Sequence, residues 1–492
     1  MTREVVLAID AGTTGVTSAL VDRGGKIVAR GYREVESLYP AAGWVEQDAL
    51  EIWRTVVEAS SEAMAAAPDC VPVAIGVANQ RETFLFWDRR SGEPLHKAIV
   101  WQCRRSSEIC EEMRASGIEP EIARKTGLRL DPYFSGSKVL WLRRNDVSLA
   151  ARIDGGEALF GTIDAWLAWR LSGGAAFVTD TTNASRTLCF DIDAFDWDDG
   201  LLATFGLNRG VMPEVGPPAS VRGVTRGAGF VADGTPIAAL VGDQQAALYG
   251  QACFAPGLMK ATYGTGSFIL QHTGSEPVFS DRGLLTTVAA TANGSKAYAL
   301  EGSVFIAGAA FQWCRDNLGL FATYEEGEAL ANSVPDSGGV VFVPAFAGLG
   351  SPHWAPDVRG AIYGLTGATT PAQIVRAALE SMIYQTQDVL EVMGGAAVEL
   401  RVDGGSAGNA MLMQLQADLS GLPVSRPASV DSTALGAAFL AGLAVGFWRD
   451  ESEVASLRVE ERRFVPSGGA SAARVGYGRW RAAVAGLLGT GL

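Results

Sequence analysis

Two short turns carry the residue types that bind phosphate. Asp10-Ala-Gly-Thr-Thr14 follows the apolar run 5–9, and Tyr263-Gly-Thr-Gly266 follows the run 258–262. Glycine in such a turn permits a tight backbone whose successive N–H groups point at an anion. Thr13, Thr14 and Thr265 add hydroxyl donors, and Asp10, at a strand end, can hold Mg2+ directly or through water. Singly, each turn reads as an ordinary hairpin. As a pair, one in each half of the chain, they read better as a clamp on nucleotide phosphates. No GxxxxGK[ST] sequence occurs, which excludes a P-loop kinase.

Further motifs add a polar pocket and a base. Asn79-Gln-Arg-Glu82 ends the buried run 71–78. An adjacent Arg and Glu at a strand end is usually a solvated ion pair of little worth. Asp243 follows the apolar run 237–241, and a carboxylate there can accept the proton of an attacking hydroxyl. Asp403-Gly-Gly405 with Asn409 at a helix start suits the adenosine end of a nucleotide, although a plain turn with an N-cap fits equally well. Together these residues point to phosphoryl transfer from ATP to a small polyol.

The elements that must position them follow from pattern. Runs 5–9, 16–21 and 26–30 read as three strands, with Arg23-Gly-Gly25 as a turn. Asp48 and Glu51 have capping-box spacing before a helix bearing Ile52, Val56 and Met64, and 71–78 returns to strand. The order is β-β-β-α-β. Strands recur at 258–262, 267–271 and 400–403, Thr370-Pro371 starts a long helix, and another helix runs from about 409 to 420. We expect two related α/β domains, 1–249 and 250–492, with a cleft between them. The stretch 466–478 is rich in Gly, Ala and Ser and reads as loose.

Composition narrows the classes. A chain of 492 residues needs two large domains or three smaller ones, and 48% hydrophobic with 19% charged residues is a globular balance. The net charge of −14 argues against nucleic acid and anionic membranes as partners. Six cysteines without CxxC spacing read as reduced buried thiols, and His96, His272 and His353 make no zinc spacing. The chain starts straight into a strand with no basic n-region, and the apolar stretch 434–448 is shorter than the roughly 20 residues of a membrane span. A soluble, cytoplasmic protein is expected.

The motifs resemble those of the FGGY carbohydrate kinases, and within them the branch acting on glycerol. The resemblance covers residues 5 to about 448. It rests most on Asn79-Gln-Arg-Glu82, Trp101-Gln-Cys-Arg-Arg105, Asp131-Pro-Tyr-Phe-Ser-Gly-Ser-Lys138, Asp180-Thr-Thr-Asn-Ala-Ser-Arg186 and Gly242-Asp-Gln-Gln-Ala-Ala247. It implies two actin-like ATPase (RNase H-like) domains closing on substrate. It also implies ATP- and Mg2+-dependent transfer of the γ-phosphoryl to the 3-hydroxyl of glycerol, in a homodimer or homotetramer. Carried over by position, Arg81, Glu82, Trp101, Tyr133, Asp243, Gln244 and Phe268 line the polyol pocket, with Asp243 as general base. Asp10 and Asp243 sit near the metal. Thr13, Thr14, Gly15, Thr265, Gly308, Gln312, Gly405 and Asn409 hold the nucleotide.

The chain departs from that pattern in places. Ala11 and Thr17 replace the Gln and Arg usual in the first turn, which removes a cation near the phosphates or leaves its place to another basic residue. Phe84 stands where a small polar residue is usual, which would reshape the pocket. Val231-Ala-Asp-Gly-Thr235 lacks the Arg of the loop that binds fructose 1,6-bisphosphate in some relatives, and no histidine occurs near 223–227 for the phosphorylation used in others. Two further readings stay open: a kinase of another short polyol or dihydroxyacetone, and a catalytically weak polyol and nucleotide sensor.

Overall fold

The computed structural model describes residues 2–394 and 397–490. Its first sheet is built from the apolar runs of the N-terminal half. Arg3–Ala11 (β1) is buried from Val5 to Ile9 and pairs antiparallel with Gly15–Val21 (β2), which pairs with Ile27–Glu34 (β3). Ala49–Ala66 (α1) leads back to Cys70–Asn79 (β4), parallel to β1. Ala219–Val224 (β5) and Pro236–Gly242 (β6) complete the order β5-β6-β4-β1-β2-β3. Asp48 caps α1, accepting the N–H groups of Leu50 and Glu51, but the expected capping box is not closed. The Glu51 carboxylate instead accepts the Glu36 N–H at 3.4 Å, because the chain leaving β3 passes beside the helix start.

Asp243–Gly250 (α2) follows β6 directly, and the second sheet then repeats the first. Leu258–Tyr263 (β7), Ser267–Gly274 (β8), Leu285–Val288 (β9) and Tyr298–Val304 (β10) form antiparallel pairs. Gly308–Asp316 (α3) and Pro371–Met393 (α4) precede Glu399–Asp403 (β11), which lies parallel to β7. Ala410–Ser420 (α5), Val424–Pro427 (β12), Ser432–Ala444 (α6) and Glu460–Phe464 (β13) follow, giving the order β9-β10-β8-β7-β11-β12-β13. In both sheets an antiparallel meander is joined by parallel strands buried on both faces, which is why those strands read as unbroken apolar runs.

The Gly/Ala-rich run 434–448 packs as its composition suggests. It forms α6, which comes from the C-terminal half yet covers the first sheet. A Cβ on Gly436 would meet the Ala246 carbonyl oxygen of α2 at 1.9 Å, and one on Gly76 of β4 would meet the Ala437 carbonyl oxygen at 2.1 Å. Helix and sheet are thus in backbone contact.

The stretch read as loose is mostly helix. Ala470–Thr490 (α7) docks with Tyr477, Trp480 and Val484 buried. Asp388 of α4 accepts the Tyr477 hydroxyl at 2.7 Å and Trp480 Nε1–H at 2.8 Å. The small residues between these anchors hid their helical spacing. All six cysteines are free and buried. Among the described residues no helix is long and apolar enough to cross a membrane.

Candidate active site

The C-terminal ends of the parallel strands deliver the reactive groups, as is usual for ligand sites in such sheets. Asn79, last in β4, is in register with Gly242, last in β6, so Arg81-Glu82 and Asp243-Gln244 leave the sheet side by side. The Asp180–Arg186 segment ties the two ends. Asn79 and Asn183 exchange side-chain amide hydrogen bonds at 2.9 and 3.1 Å, and the Thr182 hydroxyl accepts the Gly242 N–H at 2.8 Å. Glu82 is turned inward by a three-residue turn in which the Thr83 N–H donates to the Arg81 carbonyl at 2.6 Å. Its φ of +59° is strained for a non-glycine residue, a cost that such sites carry when it aims a side chain.

These groups open into a cavity of about 310 Å3 between the two sheets, lined by Arg81, Glu82, Trp101, Tyr133, Asp243 and Gln244 from the first half and Phe268 from the second. Thr13, Thr14 and Thr265 line it as well. Trp101 stands edge-on to Tyr133 and Phe268, with ring centroids 5.5 and 6.1 Å away, which makes an aromatic wall. Its Nε1–H donates to Thr13 Oγ1 at 2.8 Å, so the wall and the first Gly-Thr-Thr turn are one unit.

The carboxylates are tuned by their neighbours. Asp243 Oδ1 accepts the Gln244 N–H at 2.7 Å and lies 3.3 Å from Arg81 Nε. Burial raises its pKa, although the charges of Arg81 and Lys260 oppose the rise. Burial, then the charges of Asp243 and Asp431, raise Asp10 to about 8 against the pull of Arg30. Repulsion between two ends of one site is what a divalent cation relieves. Among the described residues no group of three or more His, Cys, Asp or Glu could hold a metal. Two carboxylates completed by water and phosphate oxygens suit Mg2+, which keeps several waters.

The two turns close alike: the Gly12 N–H donates to the Gly15 carbonyl at 3.0 Å, and the Gly264 N–H to the Gly266 carbonyl at 2.9 Å. The glycine amide is therefore used inside each turn. The amides of Thr13, Thr14 and Thr265 make no hydrogen bond among the described residues and stay open to an anion. Gly15 lines neither cavity. It is buried in β2, where a Cβ would meet the Tyr32 hydroxyl at 2.5 Å, so its glycine serves packing.

A second cavity, also about 310 Å3, shares Gly264 and Thr265 with the first and reaches Gly308, Gln312, Gly405 and Asn409. A Cβ on Gly308 would meet the Gly264 carbonyl oxygen at 2.6 Å, whereas nothing lies within 4 Å of one on Gly405. The first glycine permits close packing and the second leaves the cavity open. Asn409 is the N-cap read from the sequence, its Oδ1 accepting the Leu412 N–H at 3.1 Å; it also lines the cavity, and its Nδ2 donates to Glu328 at 3.1 Å.

Several lining residues escaped the sequence reading. Gln102 lay inside a quoted motif and Thr262 beside one, and Ser37 and Tyr39 lie in a loop at the cavity edge. Phe311, Leu379 and Leu412 give the second cavity apolar walls that carry no chemical signal. Lys260, fully buried, donates to Gln244 Oε1 and, at 2.8 Å, to Thr262 Oγ1; burial lowers its pKa to about 8. Phe84 does not reshape the pocket, because it is wholly buried and stacks on Phe160 at 5.5 Å. At Thr17 the hydroxyl accepts from Arg30 Nη2 at 3.4 Å, and the same guanidinium lies 3.4 Å from Asp431. A cation from β3 thus stands beside the first turn.

Comparison with known proteins agrees with this geometry. Residues 5–250 match the N-terminal domain of the FGGY family of carbohydrate kinases, and residues 259–445 match its C-terminal domain. Glycerol kinase 2 of Thermotoga maritima is 49% identical over 491 residues, spanning 98% of this chain and 99% of its own. The crystal structure of Plasmodium falciparum glycerol kinase with ADP superposes with a TM-score of 0.90 at 35% identity over 99% of both chains. A ligand-bound xylulose kinase from Lactobacillus acidophilus shares the fold, with a TM-score of 0.88 at 23% identity over 99% of both chains. The repeated sheets with a cleft between them are the actin-like ATPase architecture that the resemblance implied. The chain belongs to the FGGY family of carbohydrate kinases.

Proposed function

We propose that this kinase transfers the γ-phosphoryl of ATP to the 3-hydroxyl of glycerol, giving sn-glycerol 3-phosphate. The observation that carries the reading is the first cavity, where Arg81, Glu82 and Asp243 converge against the wall of Trp101, Tyr133 and Phe268. Three polar groups and one aromatic side match a three-carbon triol. The names and bound ADP of the similar glycerol kinases support the substrate pair.

Arg81, Glu82 and Tyr133 grip the hydroxyls, Gln244 borders them, and Trp101 with Phe268 packs the carbon edge. Asp243 takes the proton of the attacking hydroxyl; its raised pKa makes it a better acceptor than a solvated Asp. The open amides and hydroxyls of Thr13, Thr14 and Thr265 hold the phosphates, and Arg30 supplies the cation missing at Thr17. Gly308, Gln312, Gly405 and Asn409 take the nucleoside end. Asp10 and Asp243 would hold Mg2+, which neutralises charge on the transferring phosphoryl group when bound. On this reading residues 1–249 carry most of the polyol and phosphate contacts, and residues 250–492 carry mainly the nucleotide contacts.

Phe84 gives no support to a different polyol, since it lies in the core. Arg30 likewise weakens the case for a non-catalytic sensor. The test is a coupled ADP-release assay with Mg2+ and ATP, run with glycerol, erythritol or dihydroxyacetone, with the product identified. Glycerol should give the highest kcat/KM and yield sn-glycerol 3-phosphate. No glycerol-dependent ADP, or a higher kcat/KM for another acceptor, would sink the reading.

A further inference from the structure

Beneath the polyol cavity four charged side chains form a buried circuit of hydrogen bonds, closed by a 3.9 Å ion pair between Arg81 Nε and Glu82 Oε1. Arg81, Glu82, Arg186 and Glu301 are each 2% exposed or less. Three of them come from the first half of the chain. Glu301 stands in the middle of β10, in the second sheet.

The hydrogen bonds run in sequence. Arg81 Nη1 donates to Glu301 Oε2 at 2.6 Å and Nη2 to Oε1 at 3.0 Å. Arg186 Nη2 donates to Glu301 Oε1 at 2.9 Å, and Arg186 Nε donates to Glu82 Oε1 at 2.6 Å. Two positive charges balance two negative ones. Burial alone would raise the Glu301 pKa, but Arg186 and then Arg81 outweigh it and hold it at about 2. Neither Glu301 nor Arg186 lines the polyol cavity or the second one.

The circuit leaves specific atoms free. A two-point carboxylate hold fixes both the position and the plane of a guanidinium. Arg81 Nη2 is 3.5 Å from the Tyr133 hydroxyl, longer than a good hydrogen bond, so that N–H remains for a ligand hydroxyl. Glu82 Oε2 has no hydrogen-bond partner among the described residues, and Glu82 lines the cavity.

We propose that Glu301 and Arg186 are positioning residues for polyol recognition: Glu301, reaching from the second sheet, orients Arg81, and Arg186 orients Glu82. The assignment rests on the reading of Arg81 and Glu82 as polyol contacts. It makes the polyol grip a joint product of both halves, although every side chain presented to the hydroxyls from that grip belongs to the first.

The test uses the full-length enzyme and two variants, Glu301→Gln and Glu301→Asp, with folding checked by circular dichroism and thermal melting. Glu301→Asp keeps the charge balance and shortens the reach by one methylene, so it serves if Glu301→Gln does not fold. Each folded variant should raise the polyol KM, by roughly ten- to hundredfold for the loss of a charged hydrogen bond, while the ATP KM stays within about twofold. A general structural defect would move both KM values together, and that result overturns the assignment. So does a polyol KM left unchanged in every folded variant of an active enzyme. A wild type that turns over no polyol would instead defeat the functional reading, and this assignment with it.

Discussion

Asp243 combines what a proton acceptor needs: a place in the cavity, a raised pKa, and Arg81 and the Gln244 N–H to fix its orientation. Asp243→Asn keeps the shape and removes the base, so kcat should fall by roughly 10²- to 10⁴-fold. Nucleotide binding, followed by calorimetry with ADP, should survive; near-normal turnover would remove Asp243 from the role. Asp10 makes a different prediction. Its carboxyl ionises at about 8 in the folded, metal-free chain against an ordinary value of 3.8. The protonated form therefore favours the fold, a contribution complete below 3.8 and lost as pH rises through about 8. The Tm of metal-free protein should drop from about pH 7 to about pH 9 more steeply than that of Asp10→Asn. Added Mg2+ should reduce the drop, and equal slopes in the two proteins would contradict it. The residues legible in the sequence are those at strand ends within distinctive motifs. Glu301 and Lys260 were hidden because a charge inside an apolar strand looks like an outward-facing position until its partner sheet is known. Arg186 stood in a quoted motif but gave no sign of the side chain it holds.

Strands announced themselves through unbroken apolar runs, because parallel strands covered on both faces need no polar alternation. The helices were less even. Asp48, Thr370-Pro371 and Asn409 marked their starts, whereas α7 was missed because its buried anchors are separated by Gly, Ala and Arg residues. No pattern in α6 revealed that it crosses to cover the first sheet, since pairing between distant segments has no local signature. Its packing is nonetheless testable at one atom. Gly436 sits where a Cβ would approach the Ala246 carbonyl oxygen to 1.9 Å, and both partners are backbone of α2 and α6, so neither can rotate away. Gly436→Val should destabilise the fold by at least about 1–3 kcal/mol, the usual range for overpacking, read as a lower Tm. Because α2 begins at Asp243, any residual activity should also show a raised polyol KM. Gly367→Ala, an exposed site with nothing within 4 Å of the added carbon, is the control and should leave Tm unchanged. An unaltered Tm in Gly436→Val would mean that α2 and α6 are not in backbone contact.

Besides the packing of α6 on the first sheet, the two halves approach each other at two very different places along the cleft. At the base of the cleft, Glu301 of the second sheet is hydrogen-bonded to Arg81 and Arg186 of the first half, all out of water. Drawing them apart would strand buried charges, at about 3–5 kcal/mol for a broken pair. At the mouth, Tyr39 and Gly43 line a cavity of about 550 Å3 together with Phe346 and Asp357. Closing that gap costs no buried ion pair. Closure on substrate should therefore pivot about the charge circuit and narrow the mouth, excluding water from the transferring phosphoryl group. Spin labels on Pro40→Cys and Asp357→Cys, both exposed lip residues, would read this directly, and the six native cysteines are buried. Their separation should shorten when glycerol and a non-hydrolysable ATP analogue are added together, and less with either alone. Amide exchange in β10 should stay as slow with ligands as without, because the floor does not open in either state. A mouth distance that ignores both ligands would mean the lobes are already fixed. Faster exchange in β10 without ligand would mean that the pivot lies elsewhere and that the charge circuit breaks on opening.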